Sequence, residues 1–107
     1  MIYELRIYEA LPRKMPALNH RFANHTIRIF EKHGMKSVGY WNEAVGDNPR
    51  LVYILAFDSM ADMSQKWAAF LGDTEWQQVV AETERDGPLT ARITNRILQP
   101  TSYSPMQ

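Results

Sequence analysis

Among the side chains of this 107-residue chain, His25 carries the clearest chemical potential. It falls at the edge of a helical apolar stripe, where an imidazole can act as base or acid near neutral pH. The competing role is a boundary histidine hydrogen-bonded to a backbone carbonyl or a neighbouring side chain. His20 and His33 lie five and eight residues away. Metal ligands on one helix face recur at three or four residues, and the chain has no cysteine to complete a set, so no metal site is expected. A haem needs an axial ligand over a sizeable apolar pocket. His25 is the one candidate for that ligand, and no cofactor is expected. Glu4 and Arg6 share a strand face two residues apart, with Arg92 and Arg96 on the last strand. Partly buried, such charges pair and fix geometry, or the arginine takes an anion. Tyr40, Trp41 and Tyr53 lie where one parity of each strand turns away from the helices, and with Tyr8 they suit a planar organic molecule. The catalytic set these residues allow is His25 as acid or base, Arg6 as anion or oxyanion stabiliser, and Tyr40 or Tyr53 as hydrogen-bond donor.

Other chemistries are set aside by composition. Twelve basic and twelve acidic residues cancel, so no global field would draw in nucleic acid or an anionic membrane. There is no glycine-rich phosphate loop, no Ser/His/Asp nucleophile pattern and no basic-aromatic nucleic-acid pattern. The N-terminal MIYELRIYEA holds Glu4 and Arg6 where a signal peptide would be apolar. No run approaches the roughly 20 apolar residues that span a bilayer. The expectation is one domain over residues 1–107, soluble and cytoplasmic.

The elements that must position these residues are legible from periodicity. Residues 2–10 alternate, Tyr3, Leu5 and Ile7 against Ile2, Glu4, Arg6 and Tyr8, as a strand does. Pro16 suits a first helical turn. Met15, Leu18, Phe22, Thr26, Ile29 and His33 then follow helical spacing, with Phe30 beside the stripe. Gly34 supplies a left-handed stop, and period 2 returns with Val38, Tyr40 and Asn42 against Ser37, Gly39, Trp41 and Glu43. Gly46-Asp47-Asn48-Pro49 reads as a turn leading into the near-continuous apolar strand Leu51–Phe57. Ser59 to Asp62 resembles a capping box, as does Thr74 to Gln77. They open a helix ended by Gly72 and a shorter helix through about Arg85. Ala91 to Gln99 forms the last strand, and residues 101–107 are a tail that docks or frays.

The order β-α-β-β-α-(α)-β predicts a ferredoxin-like split β-α-β sandwich: a four-stranded antiparallel sheet with its helices on one face. Its open face is expected to carry Ile2, Glu4, Arg6 and Tyr8 from the first strand. An aromatic and apolar sheet face left to water is a liability, and pairing two about a two-fold axis is the common remedy. A homodimer through the open face is therefore the expected partnership.

YELRIYEA, HTIRIFEKHGMKSVGYW, LVYILAFDSMADMSQKWAAFLGDTEWQQV and ITNRILQPTSYSP together resemble the NIPSNAP family across essentially the whole chain. KHGM-x-x-VGYW and DTEWQ are the most specific stretches. The resemblance implies a dimeric α+β barrel. That superfamily includes cofactor-free monooxygenases, haem-dependent enzymes, isomerases and plain ligand binders, and the family brings no agreed catalytic set. Two functions are carried forward. One is a pocket between sheet and helices that binds a small hydrophobic or aromatic ligand, with or without cofactor-independent oxygenase or isomerase chemistry. The other is a non-enzymatic homodimeric interaction module with a purely structural interior.

Overall fold

The alternating N-terminus forms β1 (Ile2–Ala10), which lies at the centre of the molecule. The computed structural model describes residues 1–47 and 49–107; Asn48, within the expected turn, lies outside the described residues. After β1 the chain turns through Arg13, whose φ is +68°. It then enters α1 (Met15–Arg21) with Pro16 in the first turn, passes a π-helical turn (Phe22–Thr26) and continues as α2 (Ile27–Lys32). Leu18, Phe22, Thr26 and Phe30 are all buried. That steady four-residue repeat outruns the 3.6-residue α-turn, and the wider i→i+5 winding takes up the drift so that one stripe stays on the sheet. Gly34, at φ +71°, ends the helix in the left-handed conformation.

β2 (Lys36–Asn42) and β3 (Arg50–Phe57) form the expected antiparallel hairpin. The register slips between Ser37 and Gly39, a bulge at Val38. The strict alternation expected for β2 therefore breaks there. Ser37 joins Tyr40 on the helix side, where their hydroxyls lie 2.6 Å apart, instead of sharing a face with Gly39 and Trp41.

α3 (Met60–Leu71) starts at a Ser59 cap whose Oγ accepts the Asp62 N–H, and Asp62 in turn accepts the Asp58 N–H. α4 (Thr74–Thr83) is capped one residue earlier than the sequence pattern predicts and ends before Arg85. Asp73, not Thr74, is the cap, because its carboxylate accepts the N–H groups of Glu75 and Trp76. Lys32 Nζ and His33 Nε2, at the far end of α2, each lie 2.7 Å from the same carboxylate. The Lys32 hydrogen bond, then that of His33, holds the Asp73 carboxyl far below the usual carboxylate range. One acid thus caps α4 and ties it to α2.

β4 (Thr90–Leu98) completes a sheet of order β2-β3-β1-β4, antiparallel throughout. This is the ferredoxin-like arrangement predicted. The assignment of faces is reversed, however. Ile2, Glu4, Arg6 and Tyr8 pair with Phe57, Leu55, Tyr53 and Leu51 on the side covered by helices. Tyr8 meets Phe22 edge-on at 5.6 Å, and Glu4 accepts from Trp67 of α3. Tyr3, Leu5 and Ile7, registered with Ala56, Ile54 and Val52, form the open face. The physical reason is that Glu4 and Arg6 neutralise one another and find partners inside, which lets the polar parity face the core. The near-uniform apolar character of β3 gave no counter-signal. The C-terminal tail docks on the open face, the Tyr3 hydroxyl donating to the backbone carbonyl of Gln107 at 2.7 Å.

Candidate functional site

Between the sheet and α3 lies a polar cluster surrounded by aromatic rings. Glu4, fully buried, is its centre of charge. Its Oε1 accepts from Trp67 Nε1 at 2.6 Å, and its Oε2 accepts from Arg6 Nη1 at 3.1 Å and Asn95 Nδ2 at 3.0 Å. Arg6 extends from the same strand face. Its Nε donates to the Tyr53 hydroxyl at 2.8 Å and its Nη2 to the Tyr8 hydroxyl at 3.3 Å. The guanidinium carbon stands 4.3 Å from the Trp67 ring centroid, a cation–π contact. The two tyrosine hydroxyls lie 3.0 Å apart.

The electrostatics follow from this geometry. Burial works against the Arg6 charge, but Tyr53, Tyr8 and Glu4 together outweigh it and raise the guanidinium pKa, so Arg6 stays cationic. Burial pushes the Tyr53 hydroxyl well above its ordinary value, Tyr8 adds to the shift, and Arg6 opposes it. Burial likewise raises Tyr40, against the Ser37 hydrogen bond. Both phenols therefore remain protonated donors at neutral pH.

A count of donors and acceptors exposes an imbalance. Arg6 has five N–H bonds and uses three of them, on Tyr53, Glu4 and Tyr8. Both tyrosine oxygens accept from Arg6, and only one proton can lie between them. The second hydroxyl proton and two guanidinium N–H bonds thus have no acceptor among the described residues. A cluster of this kind can receive an acceptor oxygen.

The structure brings together three of the four candidate catalytic residues. Arg6 and Tyr53 are directly bonded, and Tyr40 stacks on Tyr53 with centroids 5.3 Å apart. Phe22 closes the same aromatic wall, 5.2 Å from Tyr53 and 6.0 Å from Tyr40. His25 stands in the π turn, half-buried, its ring 6.5 Å from that of His20. Among the described residues no hydrogen bond or ring contact joins it to Arg6, Tyr40 or Tyr53. Arg92 and Arg96 register with Glu9 and Leu5, which places them on the open face, away from the cluster. No three His, Cys, Asp or Glu side chains come together among the described residues in an arrangement able to hold a metal ion.

Trp67 and Asn95 complete the cluster, and neither stands among the candidate residues of the sequence analysis. Asn95 did leave a signal: it is the one polar residue in the apolar parity Ile93, Asn95, Ile97 of β4, opposite Arg6. Trp67 left none, since the destination of its N–H depends on which face Glu4 takes. Elsewhere, a shallow apolar cleft of about 190 Å³ lies on the open face between Tyr3, Ile54, Leu98, Pro100 and Met106.

A family model described as NIPSNAP matches residues 3–105. No curated protein matches the chain. A NIPSNAP family protein of unknown function from Agrobacterium tumefaciens is 29% identical. It superposes with a TM-score of 0.88, over 100% of this chain and 94% of that one. An uncharacterised NIPSNAP-like domain protein from Burkholderia xenovorans is also 29% identical, with a TM-score of 0.86 over 97% and 88% of the two chains. A putative antibiotic biosynthesis monooxygenase from Nitrosomonas europaea shares the fold alone: 15% identity and a TM-score of 0.65 over 94% and 98% of the chains. No helix among the described residues is long and apolar enough to cross a membrane.

Proposed function

The chain belongs to the NIPSNAP family, and on that footing we propose that it binds a small apolar or aromatic molecule through an acceptor oxygen held by Arg6, Tyr8 and Tyr53. The observation that carries this reading is the surplus of donors over acceptors around Arg6, a partly exposed cation kept charged by its neighbours. Fixed donors aimed at one oxygen also stabilise negative charge that develops there. The arrangement is thus suited to stabilising the oxyanion of an enol or phenol whose proton passes to solvent, a requirement of cofactor-independent oxygenase or isomerase chemistry. Tyr40 and Phe22 wall the site, and His25 stands outside it.

The test is a ligand-observed NMR screen of aromatic and alicyclic compounds bearing carbonyl or hydroxyl groups, repeated on Tyr53→Phe. The substitution keeps the ring packing and removes one hydroxyl. A lost hydrogen bond to a charged group corresponds to about a tenfold or greater loss of affinity. Binders indifferent to both Tyr53→Phe and Arg6→Gln would overturn the reading and leave the homodimeric interaction module in its place.

A homodimer through the open sheet face forms part of the proposal. Its support is the half-exposed apolar surface of Leu5, Ile7, Val52 and Ile54, flanked by Trp41 at 52% exposure.

A further inference from the structure

The polar cluster reaches the surface through Asn95, which is exposed, and the Arg6 side chain, 15% exposed, beside β4. Tyr8, Arg6 and Glu4 pair in register with Ile93, Asn95 and Ile97 of β4. Directly opposed residues on one sheet face lie about 5 Å apart at Cβ. Asn95 reaches Glu4 with its amide nitrogen, so this parity of β4 faces the helix side. Yet it is uncovered. Ile93 is 49% exposed, Ile97 38% exposed, and Asn95 is exposed between them. The two isoleucines stand four residues apart, about 14 Å along the strand. They make an apolar shelf against the side of the cluster where its one exposed member, Asn95, lies.

Charge decides which oxygen the cluster favours. Arg6 is already matched by Glu4 at 3.1 Å, and the Glu4 side chain is 2% exposed. The pair is neutral as a unit. A carboxylate added to the spare Arg6 donors would share that cation with a carboxylate already buried beside it, and would give up its own hydration to do so. A carbonyl oxygen loses far less on desolvation. It has two lone pairs, which match one tyrosine O–H and one guanidinium N–H.

We propose that the ligand class is a neutral ketone or quinone whose carbonyl oxygen meets the Arg6–Tyr8–Tyr53 donors and whose apolar body lies along Ile93 and Ile97. This rests on the ligand-binding reading above and adds the charge of the ligand and the direction in which it lies. Asn95, with an amide oxygen that has no donor among the described residues, offers a second polar point midway along the shelf.

The experiment uses three compounds on one skeleton: 2-acetylnaphthalene, 2-naphthoate and 2-ethylnaphthalene. Each is titrated into the parent protein, and into Ile93→Ser, Ile97→Ser and Tyr53→Phe, by heteronuclear NMR. The ketone should bind at least about tenfold more tightly than either analogue. The preference should vanish in Tyr53→Phe, and the two serine variants should weaken ketone binding by a similar factor. Both isoleucines are substantially exposed, so the serine variants should fold normally, and their amide spectra report this directly. Naphthoate binding as tightly as the ketone, with loss in Tyr53→Phe, would overturn the neutral-ligand inference and leave the site intact. A ketone affinity unchanged in both serine variants would overturn the shelf. Ethylnaphthalene matching the ketone in every variant, or no saturable binding of any of the three, would overturn the inference; the first of these would also remove the donor site on which it rests.

Discussion

Glu4 is the residue on which most of the interior depends. It is a carboxylate with almost no access to water, held by an indole, a guanidinium and an amide. Removing one member of a buried ion pair costs about 3–5 kcal/mol, because the other charge is left unmatched. Glu4→Gln keeps the shape and removes the charge, so it should destabilise by roughly that amount in urea denaturation. Trp67→Phe leaves Glu4 short of one donor and should cost about 1–3 kcal/mol. The two losses should sum to more than the double variant shows, since both act on one network. A Glu4→Gln variant within about 1 kcal/mol of the parent would mean that the pair does not hold Arg6 in place. Asp73 offers a separate check through pH. Its folded-state pKa is depressed, so its contribution is complete above the ordinary carboxylate pKa near 4 and is lost as pH falls from there toward the depressed value. Asp73→Asn should therefore be less stable than the parent at neutral pH, with the gap closing progressively below about pH 4. A constant gap from neutral to strong acid would show that the cap's charge contributes nothing.

At the scale of elements, two glycines that look alike in sequence separate in structure. Both follow a helix, but Gly34 sits at φ +71° and Gly72 at φ −85°. A side chain at Gly34 meets open contact distances and still incurs the left-handed penalty, about 1–2 kcal/mol. At Gly72 the backbone is ordinary, and an added Cβ only crowds the Ala68 carbonyl at 3.3 Å. Gly34→Ala should therefore lower the thermal midpoint clearly more than Gly72→Ala. Equal effects would place the helix stop elsewhere. Existence and order of the elements were readable because apolar spacing survives without partners: the stripe from Leu18 to Phe30 and the alternation of β1 both reappear. The π turn, the Val38 bulge and the faces of β1 were not readable. Each depends on a contact between distant segments, such as Glu4 with Trp67 or Ser37 with Tyr40, that no local window contains. The candidate site shows the same division. Arg6, Tyr40 and Tyr53 stood out by residue type, whereas their convergence required the sheet to exist.

The whole molecule is a slab, 45 × 35 × 19 Å. A sheet and one layer of helices account for the thin dimension and leave the far side of the sheet covered only where the C-terminal tail docks beside Tyr3. That side holds Leu5, Ile7, Val52 and Ile54, with the Trp41 indole lying over Gly39 so closely that a Cβ there would fall 2.6 Å from the ring. A face of these dimensions has room for the roughly 800 Å² per partner of an ordinary specific interface, and a two-fold axis places like patches together without leaving an open end. The expected state in native mass spectrometry at micromolar concentration is a dimer. Leu5→Lys sets a charge in the middle of the face beside Ile54 and Arg96, on the side of the sheet away from the helices. It should yield a folded monomer, with the tertiary amide dispersion of the parent retained. Gly39→Ala, which must displace the indole, should weaken the dimer more mildly and shift Trp41 fluorescence. A parent protein that is monomeric under these conditions would remove the subunit contact, and a Leu5→Lys variant that stays dimeric would place it elsewhere; either would leave the open face without its proposed cover.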